Sequence, residues 1–328
     1  MADVTLQLRW RRFALQLPRP LQTSRQSLGV RRGWLLQLRT PAGEVGWGEA
    51  APLAADAAIE PALEAIDAAI AALGPSPQRA ELEAALADQR WPGAFAFALG
   101  AALAEADGLV GAAAGGWLPA PAAAVLLPAG EAALGAARNA VAVAAPALKW
   151  KVAVHDDARE RQLFERLLEQ LPPKARLRLD ANGRWSRATA WAWAERLAAE
   201  PRLQWLEQPL APDDHEGLVA LAERLPVALD ESLTADPALR RSWPGWQVRR
   251  PSQEGDPRPL LSSLQAGGGS PVVLSTAFET GIARRWLHHL AALQAQGACP
   301  AAPGLALAWQ PQGIWASSDP HVIWEAAA

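Results

Sequence analysis

Charged side chains stand at the ends of successive apolar segments in the middle of this 328-residue sequence. They are Lys149, Lys151, Asp180, Glu207, Asp230 and Arg250. From Lys151 onward the intervals are 29, 27, 23 and 20 residues, and each leaves room for one strand and one helix. The carboxyl ends of parallel barrel strands open on one face. We therefore expect these ionisable groups to share one pocket.

Three carboxylates that meet in one pocket repel each other, and they are costly to bury unless a cation joins them. Asp180, Glu207 and Asp230 offer only oxygen ligands, and these strand ends carry neither histidine nor cysteine. This donor set favours Mg²⁺ or Mn²⁺ over zinc, with coordination positions left for substrate oxygens. Any one of the acids alone is also consistent with a surface carboxylate at a strand end, but three consecutive strands favour the metal site.

A lysine pair precedes the acids. The chain contains 31 basic residues, of which only Lys149, Lys151 and Lys174 are lysine. Residues two apart on a strand point to the same side, so Lys149 and Lys151 are predicted to face the pocket together, the alternative being a solvated strand end. An ammonium beside another ammonium and a divalent cation has a lowered pKa, which suits a general base near neutral pH.

The pattern of the sequence from residue 116 onward predicts the elements that position these residues. Short apolar segments alternate with helical segments of ten or more residues, which indicates parallel strands with helical crossovers. An open doubly wound sheet is the rival, but the glycine-rich phosphate loop typical of that fold is absent from the sequence. We predict an α/β barrel whose eight strands are residues 122–127, 148–152, 176–180, 203–207, 227–230, 247–250, 272–275 and 305–308.

The first 115 residues have a different pattern and are predicted to form a separate α+β unit. Short turns separate three strand-like segments, and alanine- and leucine-rich segments with helical spacing follow them. The predicted strands are residues 4–15, 33–39 and 45–49, and the predicted helices are residues 58–73, 78–87 and 93–112.

Composition narrows the possible partners and compartment. Half of the residues are hydrophobic and the net charge is −3, so the chain can bury a large core and carries no basic field for nucleic acid. Two long uncharged runs are broken by prolines and glycines, and the arginine-rich N-terminus does not look like an export signal. The single cysteine, Cys299, fits a reducing compartment. We expect a cytoplasmic protein without nucleic-acid or membrane partners.

Around the charged strand ends the sequence resembles the enolase superfamily and, within it, the o-succinylbenzoate synthases of menaquinone and phylloquinone biosynthesis. The resemblance covers nearly the whole chain, and its motifs fall in the order of the family. They are GWGEAAPL at 46–53, LLPAG at 126–130, LKWKV at 148–152, LRLDANGRW at 177–185, LEQPL at 206–210, ALDESL at 228–233 and LSTAFETGIA at 274–283.

The resemblance implies a modified (β/α)7β TIM-like barrel, residues 116–309, beneath an N-terminal α+β capping domain. The tail, residues 310–328, is implied to return to the cap. Carried over by position, the metal ligands for Mg²⁺ are Asp180, Glu207 and Asp230, and Asn182 supports them. Lys151 is implied to be the acid/base and Lys149 its electrostatic partner.

The resemblance also implies a reaction on a small carboxylate substrate. The family dehydrates 2-succinyl-6-hydroxy-2,4-cyclohexadiene-1-carboxylate to 2-succinylbenzoate. Lys151 would remove the α-proton and then protonate the departing hydroxyl on the same face of the ring, with Mg²⁺ stabilising the developing negative charge.

One position departs from the family pattern. The family has a second lysine after the sixth strand, whereas this chain has Arg250 followed by Pro251. Arginine cannot lose its proton near neutral pH, so Arg250 cannot be the second base of an N-acylamino acid racemase or dipeptide epimerase. A fixed guanidinium still stabilises an anionic ring. The substitution therefore favours the synthase, and the alternatives are an N-acylamino acid racemase or dipeptide epimerase, or a non-catalytic metal-binding relative.

Four further residues are candidates for substrate contacts. Arg178 shares the predicted inward face of Asp180 and offers bidentate contacts to a carboxylate, although a structural salt bridge is as good an interpretation. Arg25 lies where the family has a loop that closes over substrate and can meet the succinyl carboxylate, the alternative being a solvated arginine. Ser275 and Thr276 end the seventh strand and can donate to the substrate, or simply cap the next helix.

Overall fold

The computed structural model of the protein describes residues 4–22, 27–54 and 58–327. The N-terminal part contains an antiparallel sheet of three strands in the order β1-β2-β3. Apolar residues on opposite faces of β1 serve two cores: Leu8 packs towards the helices of this part, and Phe13 and Leu15 pack towards the C-terminal tail. The strands are β1 (Gln7–Gln22), β2 (Ser27–Arg39) and β3 (Val45–Ala50).

Three helices cover this sheet, and the third is almost entirely buried. Gly46 and Gly48 allow its close approach, since a Cβ at either position would overlap a backbone carbonyl of that helix. The helix was predicted to reach residue 112, but it ends at Ala106 because Gly108 turns the chain with a φ of 70°. The helices are α1 (Ile59–Leu73), α2 (Arg79–Ala87) and α3 (Gly93–Ala106).

Seven parallel strands form the second, curled sheet, in the sequential order expected when helices make the crossovers. The strands are β4 (Val125–Leu127), β5 (Leu148–Lys151), β6 (Leu177–Asp180), β7 (Leu203–Glu207), β8 (Val227–Leu229), β9 (Trp246–Arg249) and β10 (Val272–Leu274). The helices between and after them are α4 (Ala132–Ala142), α5 (Asp157–Gln170), α6 (Arg187–Leu197), α7 (His215–Ala222), α8 (Glu231–Ala235), α9 (Leu239–Ser242), α10 (Arg258–Gln265) and α11 (Gly281–Gln296).

The predicted eighth strand, residues 305–308, is wrong. The sheet is instead closed by the preceding residues: the amide of Ala124 donates to the carbonyl of Pro303 (2.9 Å), and Gly304 exchanges hydrogen bonds with Leu274 and Thr276 (2.8 and 3.0 Å). Pro303 has no N–H to donate, and Ala306 adopts a left-handed φ of 44°, so an extended ladder cannot continue.

The C-terminal segment returns to the N-terminal sheet. Helix α12 (Pro320–Ala326) places the ring of Trp324 5.5 Å from that of Trp47, and Arg11 donates to the Trp324 carbonyl over 2.7 Å. In the part of the chain that the structure describes, no helix is both long and apolar enough to cross a membrane.

Candidate active site

The strand ends of the barrel bring the predicted charged residues together. Their ladder register places Lys151 beside Asp180, and Asp180 beside Glu207, on three neighbouring strands. Asp230 and Arg250 follow directly after β8 and β9. The three carboxylates are almost completely buried, with 5%, 1% and 5% exposed. We call these residues the strand-end cluster: Lys149, Lys151, Asp180, Glu207, Asp230 and Arg250.

Lys149 is held between two of the carboxylates. Its Nζ lies 2.9 Å from Asp180 Oδ2 and 2.6 Å from Glu207 Oε1. Burial lowers the pKa of Lys149, but these carboxylates outweigh burial and hold it above its ordinary value. Lys149 is therefore a permanent ammonium that offsets buried negative charge, and it cannot serve as a base.

Arg250 holds the third carboxylate in a bidentate ion pair. Both of its terminal nitrogens contact Asp230, with Nη2 2.8 Å from Oδ2. Burial alone would raise the pKa of Asp230, but Arg250 outweighs it and lowers that pKa below its ordinary value. The same pairing raises the pKa of Arg250 further, against the effect of burial, so the guanidinium stays charged.

Lys151 differs from Lys149 although it lies only two residues away. Its side chain is half-buried and faces a cavity, and among the described residues it forms no ion pair. Burial lowers its pKa below the ordinary value; the Lys149 ammonium adds to the effect while Asp180 opposes it. A lysine with a lowered pKa can exchange a proton near neutral pH.

The cavity has a volume of about 1550 Å³ and lies between the barrel mouth and the N-terminal unit. Its floor includes every member of the strand-end cluster except Glu207. On the other side it is lined by Leu28 and by residues 52–54, which follow β3. This arrangement can enclose a small molecule against Lys151 and the carboxylates.

Glu231 is a site residue that the sequence interpretation missed, although it stands beside Asp230 in the ALDESL motif. Its Oε1 accepts a hydrogen bond from Asn182 Nδ2 over 3.1 Å, and its Oε2 is buried without a hydrogen-bond partner among the described residues. Burial and the neighbouring Asp230 and Asp180 carboxylates raise the pKa of Glu231 to about 8. Adjacent acids at a strand end were the signal for it.

The donor set fits a hard divalent cation. Burial raises the pKa of Glu207 to about 7 in spite of Lys149, and the carboxylates of Asp180 and Asp230 add to the rise, as expected for three carboxylates buried together. Asn182 Oδ1 is a further buried oxygen without a partner in the described part of the chain. As the side chains stand, Lys149 and Arg250 occupy the carboxylates, and no group of three or more acids, histidines or cysteines in residues 4–22, 27–54 and 58–327 is spaced as a metal cage.

Arg178 does not reach the cavity. It is 2% exposed and lies inside the barrel, two residues before Asp180 on β6. Its guanidinium donates to Gln204 Oε1 (2.7 Å) and the Ala302 carbonyl (2.8 Å) and lies 4.0 Å from the ring centre of Trp205. This placement does not support the predicted contact with a substrate carboxylate, because two inward residues of one strand occupy different layers of a barrel.

The remaining predicted contacts have mixed positions. Ser275 and Thr276 both line the cavity. The Thr276 hydroxyl is already engaged, since it donates to Glu279 over 2.6 Å and accepts from the Phe278 amide over 2.8 Å. The Ser275 hydroxyl makes one long contact, 3.4 Å, with the Gly304 carbonyl. Arg25 lies outside the described residues.

The chain is similar in sequence to known proteins. Residues 132–242 match the enolase C-terminal domain-like family. The o-succinylbenzoate synthase of Thermosynechococcus vestitus is 34% identical over 293 residues, which cover 86% of this chain and 87% of that protein. The chain belongs to the o-succinylbenzoate synthase family of the enolase superfamily. The synthase of Edwardsiella ictaluri is 28% identical over 330 residues and 96% of this chain.

A solved structure agrees with this membership. The o-succinylbenzoate synthase from Thermosynechococcus elongatus, described with Mg in its active site, covers 98% of this chain and 99% of its own, with a TM-score of 0.79 and 29% identity. An L-Ala-D/L-Glu epimerase from Bacillus subtilis matches with a TM-score of 0.66 and 22% identity, which shows the fold alone. The predicted capping domain and modified TIM-like barrel are confirmed.

Proposed function

We propose that this protein is an o-succinylbenzoate synthase, a hydro-lyase of menaquinone or phylloquinone biosynthesis that uses Lys151 as its only acid/base. The single observation that carries the proposal is the contrast around the cavity: within the described part of the chain Lys151 makes no ion pair, whereas carboxylates hold Lys149 and Arg250. Of the three cations of the strand-end cluster, only Lys151 can therefore both accept and return a proton.

In this mechanism Lys151 Nζ takes the proton from carbon 1 of the cyclohexadiene carboxylate. The electron pair of that C–H bond forms the last ring double bond as the neighbouring C–O bond breaks. Lys151 then gives its proton to the departing hydroxyl, which leaves as water, so the amine returns to its starting state. Loss and return of the proton on one face requires a single base.

Asp180, Glu207 and Asp230 would hold Mg²⁺, with Asn182 as a supporting residue; Mn²⁺ is the alternative ion. When bound, the ion supplies positive charge for the negative charge that develops on the substrate carboxylate. Lys149 places a positive charge beside Asp180 and Glu207 and opposes the effect of burial on the pKa of Glu207. Arg250 holds Asp230 and presents a fixed positive charge to the same cavity as Lys151.

Arg250 also restricts the chemistry. A racemase or epimerase needs a second group that accepts or donates a proton on the opposite face of the substrate. The guanidinium of Arg250 keeps its proton, because its pairing with Asp230 raises a pKa that is already high. The proposal is therefore a one-base dehydration rather than a two-base racemisation.

The organisation and setting of the enzyme complete the proposal. Residues 1–115 form the capping domain and residues 116–309 the catalytic barrel, with residues 310–328 packed on the cap. The partner is a small-molecule carboxylate rather than nucleic acid, as the net charge of −3 suggests. A single cysteine supports a cytoplasmic setting.

The test uses purified protein, MgCl₂ and 2-succinyl-6-hydroxy-2,4-cyclohexadiene-1-carboxylate, with formation of the aromatic acid followed by absorbance and mass spectrometry. We expect turnover with the wild-type protein and none with Lys151→Ala. Lys174→Ala is the matched control, because Lys174 is the remaining lysine of the chain and is exposed to solvent. Turnover by Lys151→Ala at the wild-type rate would reject the mechanism.

A further inference from the structure

A glutamine on the barrel contacts the chain segment that walls the cavity from the cap side. Gln253 lies in the short 3-10 turn Pro251–Gln253, directly after Arg250. Its Oε1 accepts from the Leu53 amide over 2.7 Å, and its Nε2 donates to the Ala51 carbonyl over 3.0 Å. One side chain therefore satisfies a donor and an acceptor two residues apart, as a neighbouring strand would.

The segment that Gln253 holds is residues 51–54, which we call the cap segment. It leaves β3 in an irregular conformation, so no sheet partner fixes it. On its other side, Arg31 is 1% exposed and donates to the carbonyls of Ala51 and Pro52 over 2.7 and 2.6 Å. The cap segment is thus held between a guanidinium from the cap and an amide from the barrel.

The barrel side of this contact is closely packed. The backbone N–H of Gln253 donates to the Arg250 carbonyl over 2.8 Å, which connects the turn to the strand-end cluster. At the start of α3, Gly93 approaches so closely that a Cβ there would overlap the carbonyl oxygen of Gln253. The turn cannot move towards the cap helix, so Gln253 is a fixed support.

Two buried acids extend the same contact. Glu49, at the end of β3, accepts from the Thr280 amide over 3.0 Å and from its hydroxyl, so a cap residue caps the N-terminus of barrel helix α11. Glu279 accepts from the Ser252 hydroxyl over 2.7 Å. We call the whole group the cap–barrel contact: Arg31, Glu49, Ser252, Gln253, Glu279 and Thr280.

We propose that Gln253 is a positioning residue that holds the cap segment over the barrel mouth and so fixes one wall of the substrate cavity. The inference rests on the proposed function for the identity of the substrate. Gln253 contacts backbone groups and does not touch the reacting centre. It affects how well the cavity encloses substrate, and the proton transfer at Lys151 is left intact.

This division predicts a specific kinetic signature. Without Gln253 the cap segment is held only from the cap side, by Arg31, and the cost of fixing Leu53 over the barrel mouth is taken from the binding free energy. Two side-chain–backbone hydrogen bonds of ordinary strength correspond to a rise in KM of roughly ten- to thirtyfold. Because the segment contacts substrate and transition state alike, kcat changes by less than about threefold.

The experiment compares Gln253→Ala with Gln78→Ala. Gln78 also pairs through its amide, with Thr5 (2.9 Å), but it is remote from the cavity, so it is the matched control. KM and kcat are measured for the cyclohexadiene substrate with Mg²⁺. Hydrogen exchange of the Leu53 amide is measured by mass spectrometry without substrate. We expect faster exchange at Leu53 and the KM increase in Gln253→Ala only.

Gln253→Glu is a second variant in case the alanine protein does not fold. It keeps the acceptor for Leu53 but sets a carboxylate oxygen against the Ala51 carbonyl, so a KM increase is expected here too. Unchanged exchange at Leu53, or a fall in kcat with KM unchanged, overturns the proposal. Failure of the proposed function appears separately, as a lack of wild-type turnover, and leaves the exchange result interpretable.

Discussion

Buried ions are stabilised differently in the strand-end cluster and in the cap–barrel contact. In the cluster, ions face ions: Lys149 lies between Asp180 and Glu207, and Arg250 grips Asp230. In the contact, the hydrogen-bond partners are neutral groups: Glu49 accepts from Thr280, and Arg31 donates to backbone carbonyls. A carboxylate that is paired with a cationic side chain can exchange it for another cation, such as Mg²⁺. Backbone groups that accept or donate hydrogen bonds stay in place. The cluster is suited to binding, and the contact to fixing the cap.

The largest expected effect comes from removing one carboxylate of the strand-end cluster. Glu207→Gln should lower kcat by roughly 10³-fold, because the variant loses a charge needed to hold the divalent cation. Turnover is measured over a range of Mg²⁺ concentrations, and chelation with EDTA should abolish wild-type turnover reversibly. Glu216→Gln, which alters a side chain that is 85% exposed, is the control. A Mg²⁺ dependence like that of the wild type in Glu207→Gln would show that Glu207 is not needed to bind the cation.

The second-largest effect tests whether a divalent cation can replace a cationic side chain in the strand-end cluster. Lys149→Met leaves Asp180 and Glu207 without their shared ammonium, which should lower the free energy of unfolding by about 3 kcal/mol. Because a divalent cation can replace the missing charge, saturating Mg²⁺ should recover part of the loss. Chemical denaturation with EDTA and with Mg²⁺ measures both values. An equal loss in the two conditions would show that the cluster does not exchange partners.

The smallest expected effect lies in the cap–barrel contact. Burial raises the pKa of Glu49 to about 7, against the opposing Thr280 hydrogen bond. An acid whose folded pKa is raised favours folding below its unfolded pKa and loses that contribution as pH rises towards 7. The stability of the wild type relative to Glu49→Gln should therefore fall between about pH 4.5 and 7, by on the order of 2 kcal/mol.

Denaturation midpoints of both proteins across this pH range test the sign. Glu49→Gln should keep kcat within about threefold of the wild type, because Glu49 touches no reacting group. If the wild type instead became more stable relative to Glu49→Gln as the pH rises, the folded protein would favour the ionised form of Glu49, and the prediction would be wrong.

The same two regions show which features the sequence could predict. Asp180 and Glu207 end apolar segments, and the geometry of parallel strands alone brings such positions to one edge. Gln253 and Glu49 carry no such signal, since their partners Leu53 and Thr280 lie 200 and 231 residues away along the chain. Contacts at that separation depend on how the cap docks, which no local pattern encodes.

Strand periodicity was not enough for two of the predictions, the substrate contact of Arg178 and the eighth strand. Alternation placed Arg178 on the inward face correctly, but it does not distinguish the layer that meets the cavity from the layer packed on Trp205. The apolar segment 305–308 resembled a strand, while the closing hydrogen bonds are made at Pro303 and Gly304, where residue composition argues against a strand.

The central claim is that Lys151 alone accepts and returns the proton. Lys151→Arg tests it most directly, because the variant keeps a positive charge in the cavity but cannot accept a proton near neutral pH. Single-turnover kinetics with substrate deuterated at carbon 1 are measured beside Mg²⁺ binding by calorimetry. We predict Mg²⁺ affinity within about threefold of the wild type and no detectable product. Product formation with a primary isotope effect in Lys151→Arg would contradict the account.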